Sequence, residues 1–384
     1  MNKNGKVAII TFHAAHNYGS VLQAYATQYL VSSMGYDNEI INYRLPNQRE
    51  FYNNLYSHKF GNKDFLRRLM RIPEHKKRVK RKETFERFIL SNYKLSDYEY
   101  NTYEELINLH DKYKVIITGS DQVWNKHCKA EFMTEPEKSI LGYYLDWADD
   151  TVSRISFSSS FGGMKREEIA EFTKMLNKYS ALSVREADGA QMLSELLNNR
   201  PVENTLDPTL LLGREEWNGL CKDKSFSGDH RYILIYTLRQ YNAAKELLEP
   251  VKSLANKHGL KIKMLAPFSL TTEHGVESVI DSGPADFIAL VRDAELVVTD
   301  SFHGTAFSIN MGTPFYVIEH SKDNRKGLLL KRLGLQERTL SSCNELTHIV
   351  DYTCDYAEPH QLLNRERERS IKWLSDRLGE LYAD

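Results

Sequence analysis

Residues 295–318 read ELVVTDSFHGTAFSINMGTPFYVI. The apolar run Leu296–Thr299 predicts a buried strand, helical spacing over 303–311 predicts a helix, and Phe315–Ile318 predicts the next strand. That order builds a parallel α/β sheet. A turn between strand and helix needs no imidazole, yet His303 stands in the first helical turn beside Gly304. Backbone N–H groups and the positive end of the helix dipole make that position an anion site. The dipole disfavours imidazolium, whereas a bound phosphate or carboxylate favours it. His303 is therefore placed to donate a hydrogen bond to an anion or to move a proton. Asp300 or Ser301 is expected to cap the helix.

Working outward, the same alternation recurs. Tyr232–Leu238 (YILIYTL), a helix near 242–258, strand KIKML at 261–265 and a helix at 285–292 precede the run above. Near the N-terminus, Lys6–Phe12 (KVAIITF) predicts a strand, Val21–Met34 a helix ending at Gly35, and Glu39–Tyr43 a second strand. The pattern resumes at Lys114–Thr118 (KVIIT) and Arg154–Ser158 (RISFS). A helix near Arg166–Lys178, the strand Ala181–Val184 and a short helix near Gly189–Leu197 follow, and DPTLLL (207–212) reads as the exit from a first domain. Residues 46–112, rich in Lys, Arg, Asn, Tyr and Glu, read as a mostly helical insertion, and Gln361–Leu381 as a long charged helix. The expected fold class is α/β and GT-B-like: two Rossmann-like doubly wound domains facing a central cleft. The expected domains are 1–208 with the insertion at about 46–112, 209–360, and a helix at 361–384 packing back toward the first.

Composition excludes several classes. With 384 residues, 41% hydrophobic, 27% charged and a formal net charge of −1, the chain has the profile of a globular protein and lacks the basic excess of a nucleic-acid binder. Its four cysteines, Cys128, Cys221, Cys343 and Cys354, are scattered without ligand-like spacing, which argues for free thiols in a reducing compartment. No signal-peptide pattern and no apolar run near the ~20 residues of a membrane span occur, so the expected location is cytoplasmic. The basic run RRLMRIPEHKKRVKRK (67–82) reads first as a solvated helix face. Its functional alternative is docking to anionic lipid or a diphosphate head group, at the inner face of a membrane, and Pro73 weakens any single amphipathic helix there. HExxH, GxxxxGK[ST], GxSxG, CxxC and the full GxGxxG pattern are absent, which weighs against a zincin, a P-loop NTPase, an α/β-hydrolase, a thioredoxin and a dinucleotide binder.

In open parallel sheets, ligands bind outside the carboxyl ends of the strands. Every unusual loop of this chain follows a predicted strand: HAAHNYGS (13–20), GSDQVWN (119–125), SSSFGG (158–163), Arg185-Glu186 and TDSFHG (299–304). Each has a plainer explanation. Asn17-Tyr18-Gly19-Ser20 reads equally as an N-cap with a turn glycine, Ser120-Asp121 as a capped turn, and Arg185 as an ion-pair partner of Glu186 or Asp188. Arginine at a strand end also suits bidentate contact with carboxylate or phosphate.

The residues NYGSVLQAYA (17–26), GSDQVWN, SFG (160–162), SVRE (183–186), LDPTLLL (206–212), TDSFHGTAFSINMGTPF (299–315) and DNRKGLLLKRLGLQER (323–338) together resemble the polysaccharide pyruvyl transferase family. The resemblance implies transfer of pyruvate from phosphoenolpyruvate, as co-substrate, to a sugar, giving a cyclic ketal; no cofactor and no metal-ligating residue is expected. The acceptor it implies is a surface polysaccharide or its lipid-linked precursor, including a polyprenyl-diphosphate-linked sugar. It places Arg185 and His303 on phosphoenolpyruvate, with Arg325 or Lys326 as the downstream cation and Ser301 and Gly304 at the helix start. Gly19-Ser20 stands where relatives often carry Gly-Asp, so no role of that aspartate is carried over.

The chemistry needs a proton donor and a base. His303 is the first choice for phosphate binding or acid. Asp121 and His16 are candidates for catalysis, and His13, Asn17, Tyr18, Gly19, Ser120 and Trp124 for holding the acceptor. Tyr18 and Trp124 suit either stacking on a sugar or packing. Two competing functions remain: a nucleotide-sugar-dependent GT-B glycosyltransferase, and a non-catalytic carbohydrate- or anion-binding protein.

Overall fold

The computed structural model describes residues 5–53, 72–109, 112–128, 136–226, 228, 231–239, 241–267, 274–319 and 325–383. They form two compact units, one from 1–54, 89–211 and 365–384, the other from 55–88 and 212–364. The division near 211/212 lies three residues beyond the expected one. The expected insertion is shared between the units instead of belonging to the first alone.

The first unit holds a five-stranded parallel sheet of β1 (Val7–Ile10), β2 (Asn38–Tyr43), β3 (Leu95–Tyr100), β4 (Val115–Thr118) and β5 (Ser153–Ser156), in the order β3-β2-β1-β4-β5. Val7 pairs with Val115 and Ile10 with Thr118. Residues 7–10 and 115–118 are fully buried, as expected of continuous apolar runs in a parallel sheet. The described residues of the insertion expected to be mostly helical, 46–112, are helical apart from one strand and its connections: β3 follows the helix Ile72–Asn92 and adds an edge strand beside β2. Its sequence LSDYEY carries acidic residues because an edge strand leaves one side unpaired, and charge there discourages pairing with another chain. A two-stranded sheet, β6 (Ser183–Val184) and β7 (Glu203–Asn204), follows, bridged to the first by Ile155 with Ala181 and Ser159 with Val184. The helix expected over 166–178 is two short ones, Arg166–Ala170 and Thr173–Leu176, separated at Phe172.

The second unit holds six parallel strands: β8 (Tyr232–Tyr236), β9 (Lys261–Leu265), β10 (Val276–Ser278), β11 (Leu296–Thr299), β12 (Phe315–Ile318) and β13 (Thr339–Leu340). Their order is β10-β9-β8-β11-β12-β13. Both sheets therefore run outward from a central pair in the Rossmann manner. The helix Phe302–Met311 is buried at every position and ends at Gly312, whose φ of 65° is the left-handed stop that glycine supplies without strain.

Part of the basic run 67–82 lies outside the described residues. Within the rest, Pro73 sits in the first turn of the helix Ile72–Asn92, where a missing N–H costs nothing. Lys77 donates to the Ser278 carbonyl at 2.6 Å and Lys80 pairs with Asp281 at 2.7 Å, so part of that charge is spent inside the second unit. The C-terminal helix spans Ala357–Ala383. Its later part serves the first unit: Arg367 donates to the Leu210 carbonyl at 2.6 Å, the Ser370 hydroxyl accepts from Leu206 N at 3.1 Å, and Trp373 stacks on Phe157. Among the described residues, no helix is long and apolar enough to cross a membrane.

Candidate active site

In a sheet of this order the switch point lies between the two central strands, and the crevice beyond their carboxyl ends is where ligands bind. In the first unit that point is flanked by the loops after β1 and β4; in the second, by the loops after β8 and β11.

After β1, the Asn17 side chain accepts from Gly19 N at 2.9 Å and from Ser20 N at 3.5 Å, capping the helix Tyr18–Ser33. Gln23, buried on that helix, donates to the Ser20 carbonyl at 2.9 Å and to Thr11 Oγ1 at 2.8 Å. Thr11 in turn donates to the Ser120 carbonyl, tying the two loops together. After β4, Asp121 adopts a φ of 73°, a left-handed conformation rare for a residue with a side chain. The backbone N–H of Gln122 donates to its Oδ1 at 2.8 Å, and the Ser20 hydroxyl to its Oδ2 at 2.5 Å. Asp121 stays partly exposed.

Beside it lies a buried charge cluster. Arg185 donates through Nη1 to Asp207 Oδ2 at 2.8 Å and through Nε to Glu186 Oε1 at 3.1 Å. The Ser120 hydroxyl donates to the same Asp207 oxygen and the Ser160 hydroxyl to the same Glu186 oxygen. Burial pulls the Arg185 pKa down, but the carboxylates of Glu186, Asp207 and Asp121 outweigh it and hold the guanidinium above its usual range. Arg185 is thus permanently charged and fixed in orientation.

In the second unit, Ser301, not Asp300, is the cap: its hydroxyl accepts from Gly304 N at 3.4 Å. Asp300 does something else. Its Oδ2 accepts from the Thr237 hydroxyl at 2.5 Å, its Oδ1 from Leu238 N at 3.1 Å, and Arg239 Nε lies 2.8 Å from Oδ2. One carboxylate therefore joins the ends of β8 and β11. Gly304 is demanded by proximity, because a Cβ there would run into Thr299 Oγ1 and come within 2.8 Å of the Tyr236 ring. The helix start is drawn tightly onto the two central strands, and His303 is held there, about nine-tenths buried.

Other predicted residues fall elsewhere. Trp124 is a core residue: fully buried, stacked on Tyr144 with the rings 5.6 Å apart, its indole N–H donating to the Tyr143 carbonyl at 3.1 Å. Tyr18 is likewise buried. Packing is thus what the structure gives both rings, and neither presents a face for a sugar. His13 is fully buried, with its ring nitrogens 3.0 Å from Asn42 Oδ1 and 3.3 Å from the Thr11 carbonyl. It belongs to the interior, since an imidazole so enclosed is taken up by local partners. Ser120 is spent on Asp207, and His16 is partly exposed. Lys326 is buried and Arg325 half-buried at the start of the helix Arg325–Arg332. Sequence reasoning missed Ser20, Ser160, Asp207, Thr237 and Arg239 as parts of these networks. For Thr237 and Arg239 a signal was present, since both follow an apolar strand at a switch point.

Two such units define a GT-B fold. The chain is similar over nearly its whole length to UDP-GlcNAc 2-epimerase from Neisseria meningitidis bound to UDP-GlcNAc (TM-score 0.56, 10% identity, 98% of this chain and 99% of that one). It is similar also to UDP-GlcNAc 2-epimerase from Methanocaldococcus jannaschii (TM-score 0.53, 13% identity, 96% and 99%). A third likeness is to Arabidopsis thaliana UGT89C1 complexed with UDP-L-rhamnose (TM-score 0.51, 10% identity, 100% and 99%). At these identities the likeness is one of fold. No curated protein matches it in sequence. The family model of polysaccharide pyruvyl transferase matches residues 17–322, and the chain belongs to that family of transferases.

Proposed function

We propose that the chain moves the pyruvyl group of phosphoenolpyruvate onto a sugar of a surface polysaccharide or its lipid-linked precursor, closing a cyclic ketal over two hydroxyls. The observation that carries this reading is the family match, which runs from the Asn17 cap through the helix start at His303. In the proposed reaction a proton is added to the methylene carbon, leaving C2 electron-poor. One sugar hydroxyl attacks C2 and loses its proton, and the C–O bond to phosphate breaks. The second hydroxyl then adds to C2 and releases its proton, so the products are the ketal and inorganic phosphate.

Each role has a physical basis. His303, with Ser301 and Gly304, occupies a helix start that suits a phosphate or carboxylate, and the imidazole can supply the proton. Arg185, Arg325 and Lys326 are the proposed cationic partners of phosphoenolpyruvate. Asp121, pinned and partly exposed, is the proposed base for the acceptor hydroxyl, with His16 the second group able to take that proton. No cofactor enters this scheme. The acceptor is proposed to include polyprenyl-diphosphate-linked sugars, reached from the inner face of a membrane with the run 67–82 as the peripheral contact.

The test is incubation with phosphoenolpyruvate and a panel of oligosaccharide acceptors. Acceptor-dependent phosphate release, with a product heavier by one pyruvate less one water, is expected. Release of UDP or GDP from a nucleotide sugar, without need of phosphoenolpyruvate, would instead identify a glycosyltransferase.

A further inference from the structure

Ser20 is two residues into a helix whose cap already serves its backbone N–H, and Gln23 already donates to its carbonyl. Both backbone groups are fixed by these bonds. A serine in a first helical turn commonly turns its hydroxyl to nearby backbone. This one instead donates to the side chain of a residue 101 positions away, at 2.5 Å. The acceptor, Asp121, has its other oxygen held by Gln122 N at 2.8 Å and its backbone in the left-handed region. A left-handed residue with a side chain is strained and persists where surrounding contacts impose it. Here Ser160 N donates to the Asp121 carbonyl at 3.0 Å, and Ser159 bridges the same residue. The peptide of Asp121 is thus set by the neighbouring loop, and its carboxylate by two donors at opposite oxygens.

We infer that Ser20 is a positioning residue: its hydroxyl fixes the rotation of the Asp121 carboxylate so that a remaining lone pair faces the acceptor hydroxyl. This rests on the proposed role of Asp121 as base. Ser20 itself touches no reacting atom. Its contribution is to remove a rotational freedom that would otherwise have to be frozen at each turnover. A serine of purely structural value would affect stability and leave the kinetics of the base untouched.

The experiment compares Ser20→Ala, Ser20→Thr, Asp121→Asn and the double variant Ser20→Ala/Asp121→Asn in the full chain. Ser20→Ala is expected to lower kcat at least about tenfold, a part of the roughly 10²-fold or more that a placed base supplies, with KM for phosphoenolpyruvate unchanged. Ser20→Thr restores the hydroxyl and with it most of kcat. In the Asp121→Asn background, Ser20→Ala costs nothing further, because the group it acts through is gone. Unchanged kcat in Ser20→Ala, or an equal loss in both backgrounds, overturns the inference. A second readout does not require turnover. The backbone amide resonance of Gln122, whose N–H donates to the same carboxylate, should move in Ser20→Ala and return in Ser20→Thr. A wild-type chain without phosphoenolpyruvate turnover removes the proposed function, whereas an unmoved Gln122 resonance removes the role of Ser20.

Discussion

Thr237 donates its hydroxyl to Oδ2 of Asp300 at 2.5 Å, joining the residue after β8 to the residue after β11. Arg239 completes the arrangement from the same loop, and its side chain and that of Asp300 are each about nine-tenths buried. Removing one member of a buried pair leaves the other charge without compensation. Asp300→Ala is therefore expected to lower stability by about 3 kcal/mol, read from urea unfolding. Asp300→Asn, which keeps an acceptor for Thr237, should lose less. Equal stability of all three proteins would contradict the bridging role.

Gly304 permits a close approach, not an unusual backbone. Gly304→Ala would ordinarily favour a helix, yet here the added methyl meets Thr299 and the Tyr236 ring. A net loss of about 1–3 kcal/mol is expected from overpacking. If the helix start holds phosphate as proposed, stabilisation of the fold by added phosphate should be weaker in this variant than in the wild type. A stabilised variant would show that the helix has room to move.

Acid stability should depend on Glu39 in β2. Burial opposes ionisation of this carboxyl, but Lys112, Lys6 and Tyr113 together outweigh it and hold the pKa below its ordinary 4.5. Lys112 Nζ lies 2.8 Å from the carboxylate, the Tyr113 hydroxyl donates to it at 2.5 Å, and Lys6 pairs with it too. Because the folded value is the lower one, this contribution is fully present above pH 4.5 and is lost as pH falls through the folded pKa. Glu39→Gln should be less stable at neutral pH and show a flatter decline between neutrality and acid, as followed by denaturation midpoints.

His303→Ala is expected to reduce turnover with phosphoenolpyruvate by about 10²-fold or more if the imidazole both binds and protonates. Ser301→Ala, by contrast, removes a cap and should cost about 1 kcal/mol of stability. Its effect on turnover should be the smaller of the two. A reversed ranking in steady-state assays would reassign the proton donor.

Trp124→Phe tests packing against acceptor stacking. With the indole buried between Tyr144, Phe161 and Tyr179, the substitution should lower stability while KM for the acceptor stays near wild type. A large rise in KM in a fully stable variant would restore the stacking role.

Much of the architecture was legible because parallel strands announce themselves. KIKML, LVVT and FYVI coincide with β9, β11 and β12 to the residue. LSDYEY did not, since an edge strand mixes charge into its pattern and borrows the look of a loop. At the candidate site, position along the sheet edge was readable and direction was not. Trp124 stands in a polar loop motif, yet its indole turns into the core. Asp121 gave no sign of its left-handed backbone, because that conformation is imposed by a neighbouring loop and not by the residue itself. Ser120, Arg185 and Asp207 each have an ordinary local explanation. Their mutual bonds span 87 and 22 positions, a relationship that local spacing does not encode.

The order in which the chain is synthesised gives its last helix a particular weight. Strands β1 to β5 leave the ribosome early, but Leu206 N and the Leu210 carbonyl wait for Ser370 and Arg367. The first unit to emerge is therefore the last to be finished, and the nascent sheet must persist through translation of the whole second unit. A premature stop before residue 365 would leave the later-made unit nearer completion and injure the earlier one, making that half the expected client of chaperones and proteases.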